Sequence, residues 1–283
     1  MVSTLKTEDQ RTNLPAALLL LPLNPRAILL FDIDGVIRDV AGSYRRALAE
    51  TVHHYCGWRP DAASIDALKG EGLWNNDWEA SLELLRRRGH TPLPDFTALV
   101  EVFSRFYFGG DPEGDPAHWQ GFIGREPLLV ERSFFQTLDE AGLAWGFVSG
   151  AEPPSARFVL EQRLGLVDPP LIAMGDAPDK PNPTGLLELA NRLAEPGLGQ
   201  ASSPPVFYLG DTVADVLTIA QARQVLPQQR FVALAVAPPH LHADGPGRSR
   251  YEAALRDAGA DLVIPATASV LPCLEPLLSA PSH

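Results

Sequence analysis

The chain has 283 residues and a formal net charge of −12, with 45% hydrophobic and 20% charged residues. This length accommodates one large α/β domain, or a core with a smaller inserted unit, since domains typically run about 100 to 200 residues. The composition is that of an ordinary globular protein. Its acidic balance argues against nucleic acid as a partner, because binding to a phosphate backbone depends on clustered Lys and Arg.

Residues 1–25 are predicted to form an N-terminal extension. Its apolar run at 14–23 resembles the core of a signal peptide, but Pro15 and Pro22 interrupt the run and no small-residue cleavage site follows. We therefore expect the extension to pack on the core. No run in the sequence reaches the roughly 20 apolar residues that a membrane-spanning helix needs, so no membrane partner is expected.

The cysteines give a hint about location. Cys56 and Cys273 lie far apart in the sequence and match no metal-binding or redox spacing. We expect two reduced, partly buried thiols. This expectation suits a cytoplasmic protein.

Apolar runs that end in polar or small residues indicate the strands. Six strands are predicted, at residues 27–31, 143–148, 171–174, 206–209, 231–236 and 262–264. Helical patterns fill the gaps from the second strand onward, at residues 155–164, 184–193, 214–222, 251–258 and 269–278. Continuous apolar strands that alternate with helices are typical of a parallel sheet covered on both faces. The predicted fold class is therefore α/β, with a doubly wound, mostly parallel, Rossmann-like sheet.

The interval between the first two strands is too long for a single crossover. It contains four helical patterns, at residues 44–55, 62–68, 78–88 and 95–108. We predict an inserted α-helical cap domain at 41–124, with residues 130–140 as the crossover helix. The α/β core then comprises residues 26–40 and 125–283. Because the insertion leaves the core just after the first strand, it is placed to act as a lid.

In open parallel sheets, ligands bind beyond the carboxyl ends of the strands. The chemically interesting residues follow four of the predicted strands in this way: Asp32 and Asp34, Ser149 and Gly150, Lys180, and Asp211 with Asp215. Taken singly, each has a simpler explanation, since Asp-x-Asp-Gly is common in turns and Ser or Asp often caps a helix. Together they predict one crevice that holds carboxylates, a hydroxyl and an ammonium group.

The charge balance of this crevice predicts its ligands. Several carboxylates in one place repel and raise one another's pKa values unless a cation is present. Oxygen ligands without a cluster of His or Cys suit a hard ion such as Mg²⁺, which keeps waters for a substrate phosphate. Lys180 adds a fixed positive charge, and Ser149 adds a hydrogen-bond donor for an anion. We therefore expect a phosphoryl group to bind here, with Mg²⁺ as cofactor.

The four segments resemble the four sequence motifs of the haloacid dehalogenase superfamily, in the same order and on the same strand ends. The matching stretches are residues 31–35 (FDIDG), 147–150 (FVSG), 180–181 (KP) and 210–215 (GDTVAD). One departure is Val36, where many members of the superfamily carry threonine. The helices inserted just after the first motif resemble the small helical cap of subclass I.

This resemblance implies a phosphohydrolase. Asp32 would attack phosphorus to form an aspartyl phosphate, and Asp34 would protonate the leaving oxygen and then activate water. Dehalogenases attack carbon and need no acid at this position, so Asp34 favours phosphoryl transfer. Ser149, with the backbone of Gly150, would bind phosphoryl oxygens, and Lys180 would steady the charge of nucleophile and phosphate.

The resemblance also implies a metal site and a substrate class. Mg²⁺ would be held by the Asp32 carboxylate, the Asp34 main-chain carbonyl and Asp211. Asp215 would be a ligand through water or would support the ligands. The substrate would be a small phosphorylated metabolite, and the protein would act as a monomer or a homodimer.

Two groups of residues are candidates for contact with the substrate. In such caps the loop between helices usually reaches the leaving group, and here Lys69, Trp74 and Asn75 on that loop are the candidate substrate contacts. The alternative is that Trp74 packs inside the cap and the other two are solvated. His240 and His242 follow the fifth strand, and they are either ligands at the rim or incidental members of a proline-rich loop.

Three other functions share these motifs. A phosphomutase would pass the aspartyl phosphate to a sugar instead of water. A phosphonatase would need a cap lysine that forms an imine, for which Lys69 is the candidate. A non-catalytic binding protein would keep the fold without turnover.

Overall fold

The computed structural model describes residues 25–74, 76–194, 197–243 and 245–279. Within these ranges six parallel strands form one sheet in the order β3-β2-β1-β4-β5-β6. The strands are β1 (Ala27–Phe31), β2 (Leu143–Val148), β3 (Leu171–Ile172), β4 (Val206–Gly210), β5 (Phe231–Val236) and β6 (Leu262–Ile264). The strand order reverses at β1, so the predicted doubly wound parallel sheet is confirmed.

Four helices form the insertion that follows β1, and six more lie in the rest of the described chain, the first of them just before β2. The first group is α1 (Tyr44–Cys56), α2 (Ala62–Lys69), α3 (Asp77–Arg87) and α4 (Phe96–Tyr107). The second group is α5 (Arg132–Glu140), α6 (Pro153–Arg157), α7 (Thr184–Leu193), α8 (Val213–Val225), α9 (Gly245–Asp257) and α10 (Val270–Ser279). This pattern confirms an α/β core with an inserted helical cap.

The structure differs from the prediction at three elements. The helix predicted at 251–258 is α9, which begins six residues earlier, at Gly245. The helix predicted at 155–164 is a short α-helix, α6, that continues as a π-helical segment, Phe158–Arg163. The third strand ends at Ile172, two residues earlier than predicted. Its ladder stops there because the backbone N–H of Ala173 donates to the Asp176 carboxylate, at 2.9 Å.

The central position of β1 explains its unbroken apolar sequence. All five of its residues are buried, and alternate side chains enter the two cores on either face of the sheet. Leu29 and Phe31 pack with Phe135 on one face, and Ile28 packs with Leu186 on the other. Each fully buried side chain of this kind contributes about 1.5–3 kcal/mol, so the end of β1 is a firmly fixed point in the fold.

The cap has a hydrophobic core of its own. Buried side chains from its four helices, including Leu48, Ile65, Leu85 and Phe103, form one cluster separate from the two sheet cores. Three of the helices, α2, α3 and α4, begin at residues whose side chains accept backbone N–H groups, such as Asn76 before α3. The exact domain limits given above remain predictions.

The remaining sequence predictions concern the terminus and the cysteines. Residues 1–24, which make up nearly all of the predicted N-terminal extension, lie outside the described residues. Cys56 and Cys273 are both free and partly buried, as expected. In the described part of the chain, no helix combines the length and the apolar character that a membrane crossing requires.

Candidate active site

Three carboxylates meet where β1 and β4 end. Asp32 follows β1, Asp211 follows β4, and Asp215 lies in the first turn of α8. All three are buried, and one oxygen from each lies within 4.8 Å of the others. They meet because β1 and β4 are adjacent in the sheet, with Phe31 paired to Leu209. The sequence predicted this convergence.

Lys180 enters this cluster from the loop after β3. Its Nζ lies 3.1 Å from Asp32 Oδ2 and 2.6 Å from Asp215 Oδ1. Burial acts to lower the pKa of Lys180, but the charges of Asp215 and Asp32 outweigh it and hold that pKa well above its ordinary value. The ammonium group is therefore a permanent charge beside Asp32.

Tyr208, on β4, completes the setting of Lys180 and was not anticipated from the sequence. Its hydroxyl lies 3.1 Å from Lys180 Nζ, 3.0 Å from Asp215 Oδ1 and 2.8 Å from the Val148 carbonyl. The available signal was a tyrosine in a buried strand two residues before its end, since a buried tyrosine hydroxyl usually needs a partner.

Asp215 has both of its carboxylate oxygens engaged. Oδ2 accepts from the Thr212 backbone N–H at 2.9 Å and from the Thr212 hydroxyl at 2.6 Å, in the capping box that begins α8. Oδ1 lies against Lys180 and Tyr208. Burial acts to raise the pKa of Asp215, but Lys180 and these hydrogen bonds lower it overall. Asp215 is thus an anion that fixes Lys180 beside Asp32.

The carboxyl groups of Asp32 and Asp211 are less completely balanced by nearby positive charge and hydrogen bonds than that of Asp215. Burial, with Lys180 opposing it, raises the pKa of Asp32 to about 6. Burial, together with the charges of Asp215 and Asp32, raises the pKa of Asp211 well above its ordinary value. Raised values in two adjacent buried carboxyls indicate a site that needs further positive charge. The donors are all oxygen atoms, so the residues fit a hard cation such as Mg²⁺.

Gly35 shapes the floor of this site. Its φ is +76°, which favours glycine, and a Cβ at this position would lie 2.0 Å from Asp211 Oδ2. The backbone after β1 therefore passes directly against the Asp211 carboxylate. The Asp-x-Asp-Gly stretch ends in glycine for a physical reason that the sequence alone did not give.

The cavity above the carboxylates has a volume of about 60 Å³. Asp32, Asp34, Ser149 and Gly150 all line it, so the residues predicted for phosphoryl binding are brought together. The Ser149 hydroxyl also acts to lower the pKa of Asp32 through a hydrogen bond. A cavity that holds a single water molecule has a volume of about 10–15 Å³. The cavity here is several times larger, so its volume matches a group of a few non-hydrogen atoms.

The cap contributes to this cavity in part as predicted. Lys69 lines it, with its Nζ 2.7 Å from Asp77 Oδ1. Trp74 instead packs in the cap core, and its indole N–H donates to Glu71 at 2.9 Å. Asn75 lies outside the described residues. Trp78, predicted only as the start of a helix, lines the cavity.

The two histidines behave differently. His240 lines the cavity, and its Nε2 lies 3.1 Å from Asp66 Oδ2 on the cap helix α2. Asp66 also pairs with Arg45 of α1, at 2.5 Å. His242 points to the backbone, with Nε2 2.8 Å from the Ala237 carbonyl. His240 therefore joins the core loop after β5 to the cap.

A second, larger cavity adjoins the first at Trp78 and Met174, which line both. Its volume is about 580 Å³. It lies between the cap and α6, and its lining combines aromatic rings and acidic groups: Trp119, Phe158, Glu113, Glu152 and Glu161. Burial raises the pKa of Glu152 to about 7.

Comparison with known proteins places these observations in a family. The sequence profile of the haloacid dehalogenase-like hydrolases matches residues 27–223. Among curated proteins, the chain is similar to one from Phytophthora nicotianae named imidazoleglycerol-phosphate dehydratase, with 28% identity over 206 residues. The match covers 71% of this chain and 43% of the relative, so the chain spans less than half the length of that protein.

Solved structures show the same fold. Phosphatase Tt82 from Thermococcus thioreducens is 22% identical, with 73% of this chain and 92% of that chain covered and a TM-score of 0.55. A phosphonoacetaldehyde hydrolase-like protein from Oleispira antarctica is 17% identical, with 92% and 93% covered and a TM-score of 0.62. At these identities the likeness concerns the fold alone.

Proposed function

The chain belongs to the haloacid dehalogenase-like hydrolases, and on that premise we propose that it is a magnesium-dependent phosphohydrolase acting on a small phosphorylated metabolite. The observation that carries this proposal is the contact of Lys180 with Asp32, inside a group of three buried carboxylates. A fixed ammonium group beside a buried carboxylate is suited to hold an anionic phosphoryl group against a nucleophile.

In the proposed reaction, an oxygen of Asp32 attacks phosphorus and the substrate alcohol leaves, which gives an aspartyl phosphate. Asp34 donates a proton to the leaving oxygen and later takes one from the water that hydrolyses the intermediate. Ser149 and the backbone at Gly150 donate hydrogen bonds to phosphoryl oxygens. Lys180 keeps Asp32 anionic before attack and stabilises the negative charge of the phosphoryl group.

The Asp32 carboxylate, the Asp34 main-chain carbonyl and Asp211 are the proposed holders of Mg²⁺. When bound, the ion supplies the positive charge that these buried oxygens need and polarises the phosphoryl group. Because both oxygens of Asp215 already accept protein hydrogen bonds, we propose that Asp215 supports Lys180 instead of binding the ion directly.

For the alcohol portion of the substrate, we propose the cavity of about 580 Å³ that meets the phosphoryl site at Trp78 and Met174. The smaller cavity has room for little beyond the phosphoryl group. Aromatic walls with carboxylates nearby suit a ring or a cationic group. Since the curated relative is named for an imidazole-bearing phosphate ester, such esters belong among the first compounds to assay.

The other functions stay as alternatives with their own tests. A mutase would transfer phosphate between positions of a sugar without net release of phosphate. A phosphonatase would use Lys69 as the imine-forming amine, which borohydride trapping with a phosphonoaldehyde would reveal. We further propose a cytoplasmic protein, as a monomer or a homodimer, consistent with two free cysteines.

A panel of phosphomonoesters with purified protein and Mg²⁺ tests the main proposal. We expect release of inorganic phosphate that is abolished by Asp32→Asn and by EDTA. The matched control is Asp257→Asn, which removes an exposed carboxylate at the end of α9 and should leave turnover unchanged. If Asp32→Asn keeps wild-type activity, Asp32 is not the nucleophile, and if no panel member turns over, the non-catalytic alternative gains support.

A further inference from the structure

A fully buried arginine lies just behind the active site. Arg38 has no solvent exposure and stands four residues after Asp34, where the chain leaves the core for the cap. Its Nε donates to Asp34 Oδ1 at 2.6 Å, Nη1 donates to Glu126 at 2.9 Å, and Nη2 donates to the Ser155 hydroxyl at 2.8 Å. A planar guanidinium group bound through all three of its nitrogens has little freedom to rotate.

The partners of Arg38 are themselves anchored. Glu126, on the chain segment that returns from the cap, also accepts from the hydroxyls of Ser43 and Tyr107, at 2.5 and 3.1 Å. The Tyr107 hydroxyl lies 2.7 Å from the Ser155 hydroxyl. The cluster thus joins both chain connections of the cap, cap helix α4 and core helix α6. Few side chains in the described structure are held from so many directions.

Asp34 is the hydrogen-bond partner through which Arg38 reaches the cavity. The Asp34 side chain is one-quarter exposed and lines the phosphoryl cavity, whereas Arg38 is completely covered. One oxygen of Asp34 is bound by Arg38, so the bond fixes the plane in which the carboxyl group meets the cavity. An acid or base catalyst works only within about 2.6–3.2 Å of the proton that it transfers, so this orientation matters.

We propose that Arg38 is a positioning residue that aims the Asp34 carboxyl group at the leaving oxygen of the substrate, an inference that rests on the proposed function. The competing explanation is that Arg38 only balances the buried charge of Glu126. These explanations differ in one measurable respect. Loss of positioning lowers kcat/KM, which covers the steps up to release of the alcohol, only for substrates that need a proton donor, whereas loss of structure lowers kcat/KM for every substrate equally.

The experiment therefore compares two substrates in the full-length protein with Mg²⁺. One is p-nitrophenyl phosphate, whose leaving group is an acidic phenol that departs without a proton. The other is the best alkyl phosphate in the panel, whose alkoxide leaving group needs one. The variants are Arg38→Met, Arg38→Lys and Glu126→Gln, with Asp34→Asn as the reference and Tyr107→Phe as the matched control. The control loosens the cluster without removing a contact to Asp34 or Arg38.

We expect Arg38→Met and Arg38→Lys to lower kcat/KM for the alkyl phosphate by about 10- to 100-fold, but kcat/KM for p-nitrophenyl phosphate by less than about threefold. Glu126→Gln should show the same selectivity to a smaller degree, and it keeps the test decisive if Arg38→Met fails to fold. Tyr107→Phe should lower both rates equally or not at all.

Each other outcome is informative. If Asp34→Asn is selective but the Arg38 and Glu126 variants lower both rates equally, the positioning role is overturned and the proposed function stands. If Asp34→Asn itself shows no selectivity, Asp34 is not the proton donor, and this inference fails while the phosphohydrolase proposal stands. If the wild type hydrolyses neither ester, the proposed function fails and this inference fails with it.

Discussion

Replacing Lys180 with methionine tests the charge balance at the centre of the site. The change keeps most of the side-chain volume but removes the ammonium group that lies 3.1 Å from Asp32 and 2.6 Å from Asp215. Removing one partner of a buried ion pair costs about 3–5 kcal/mol, because the other charge stays buried without compensation. For a chain of this size we expect the melting temperature to fall by about 6–15 °C.

Thermal melting with EDTA and with excess Mg²⁺ measures this effect. The variant should recover more stability from Mg²⁺ than the wild type does, because its carboxylates have lost the ammonium group that contacts Asp32 and Asp215. Turnover should fall by about 10²–10³-fold, as for the loss of one preorganised electrostatic contact. Arg26→Met is the control, since its pair with Glu275 is about half exposed and such pairs contribute about 0–1 kcal/mol.

A melting temperature of the Lys180 variant within about 2 °C of the wild type in EDTA would refute the reasoning, because the expected loss is several-fold larger. So would an equal gain from Mg²⁺ in the two proteins. Either result would mean that Asp32 and Asp215 are not held as anions by Lys180, and the assignment of nucleophile and supporting residue would have to change.

Three further predictions concern other parts of the site. Burial raises the pKa of Glu152 from 4.5 to about 7, so the folded state binds the extra proton and loses stability as pH rises through that window. Glu152→Gln should abolish up to about 3 kcal/mol of this pH dependence, measured by urea unfolding at pH 4.5 and 8. Gly35→Ala should displace Asp211 and raise the Mg²⁺ concentration for half-maximal activity by about tenfold or more, whereas unchanged metal dependence would contradict the close approach. Tyr208→Phe leaves the Val148 carbonyl without its hydroxyl donor and should cost about 1–3 kcal/mol in urea unfolding, and a neutral effect would show that the hydroxyl contributes nothing.

The sheet and the central site could be predicted because both follow from short stretches of sequence. The apolar run of β1 leads straight into Asp32, and the rule that parallel strands present ligand sites at their carboxyl ends placed Asp211 and Lys180 beside it. The cap could be predicted because the interval between β1 and β2 is too long for a single crossover and contains four helical patterns. These features depend on local pattern and chain order.

What the sequence did not disclose depends on contacts between distant residues. The burial of Arg38 was not predicted, because it depends on Glu126, 88 residues away, and Ser155, 117 residues away. The pairing of His240 with Asp66 spans 174 residues and joins core to cap. Trp74 was the predicted substrate contact, whereas Trp78, in the first turn of α3, is the tryptophan that lines the cavity. Contacts between residues so far apart leave no periodic pattern in the sequence.

The arrangement of charges also explains why one lysine does not make the site complete. Lys180 is shared, and its shorter contact is to Asp215, whose oxygens also accept from the Thr212 backbone N–H and hydroxyl. The ammonium charge is therefore largely balanced by Asp215, while burial raises the pKa values of Asp32 and Asp211. A second, mobile positive charge would lower both of these pKa values and so favour the anionic forms of Asp32 and Asp211. The proposed metal requirement thus follows from Asp215 as much as from the carboxylates proposed to hold the ion, and Asp215→Asn should relax it by freeing Lys180 for Asp32.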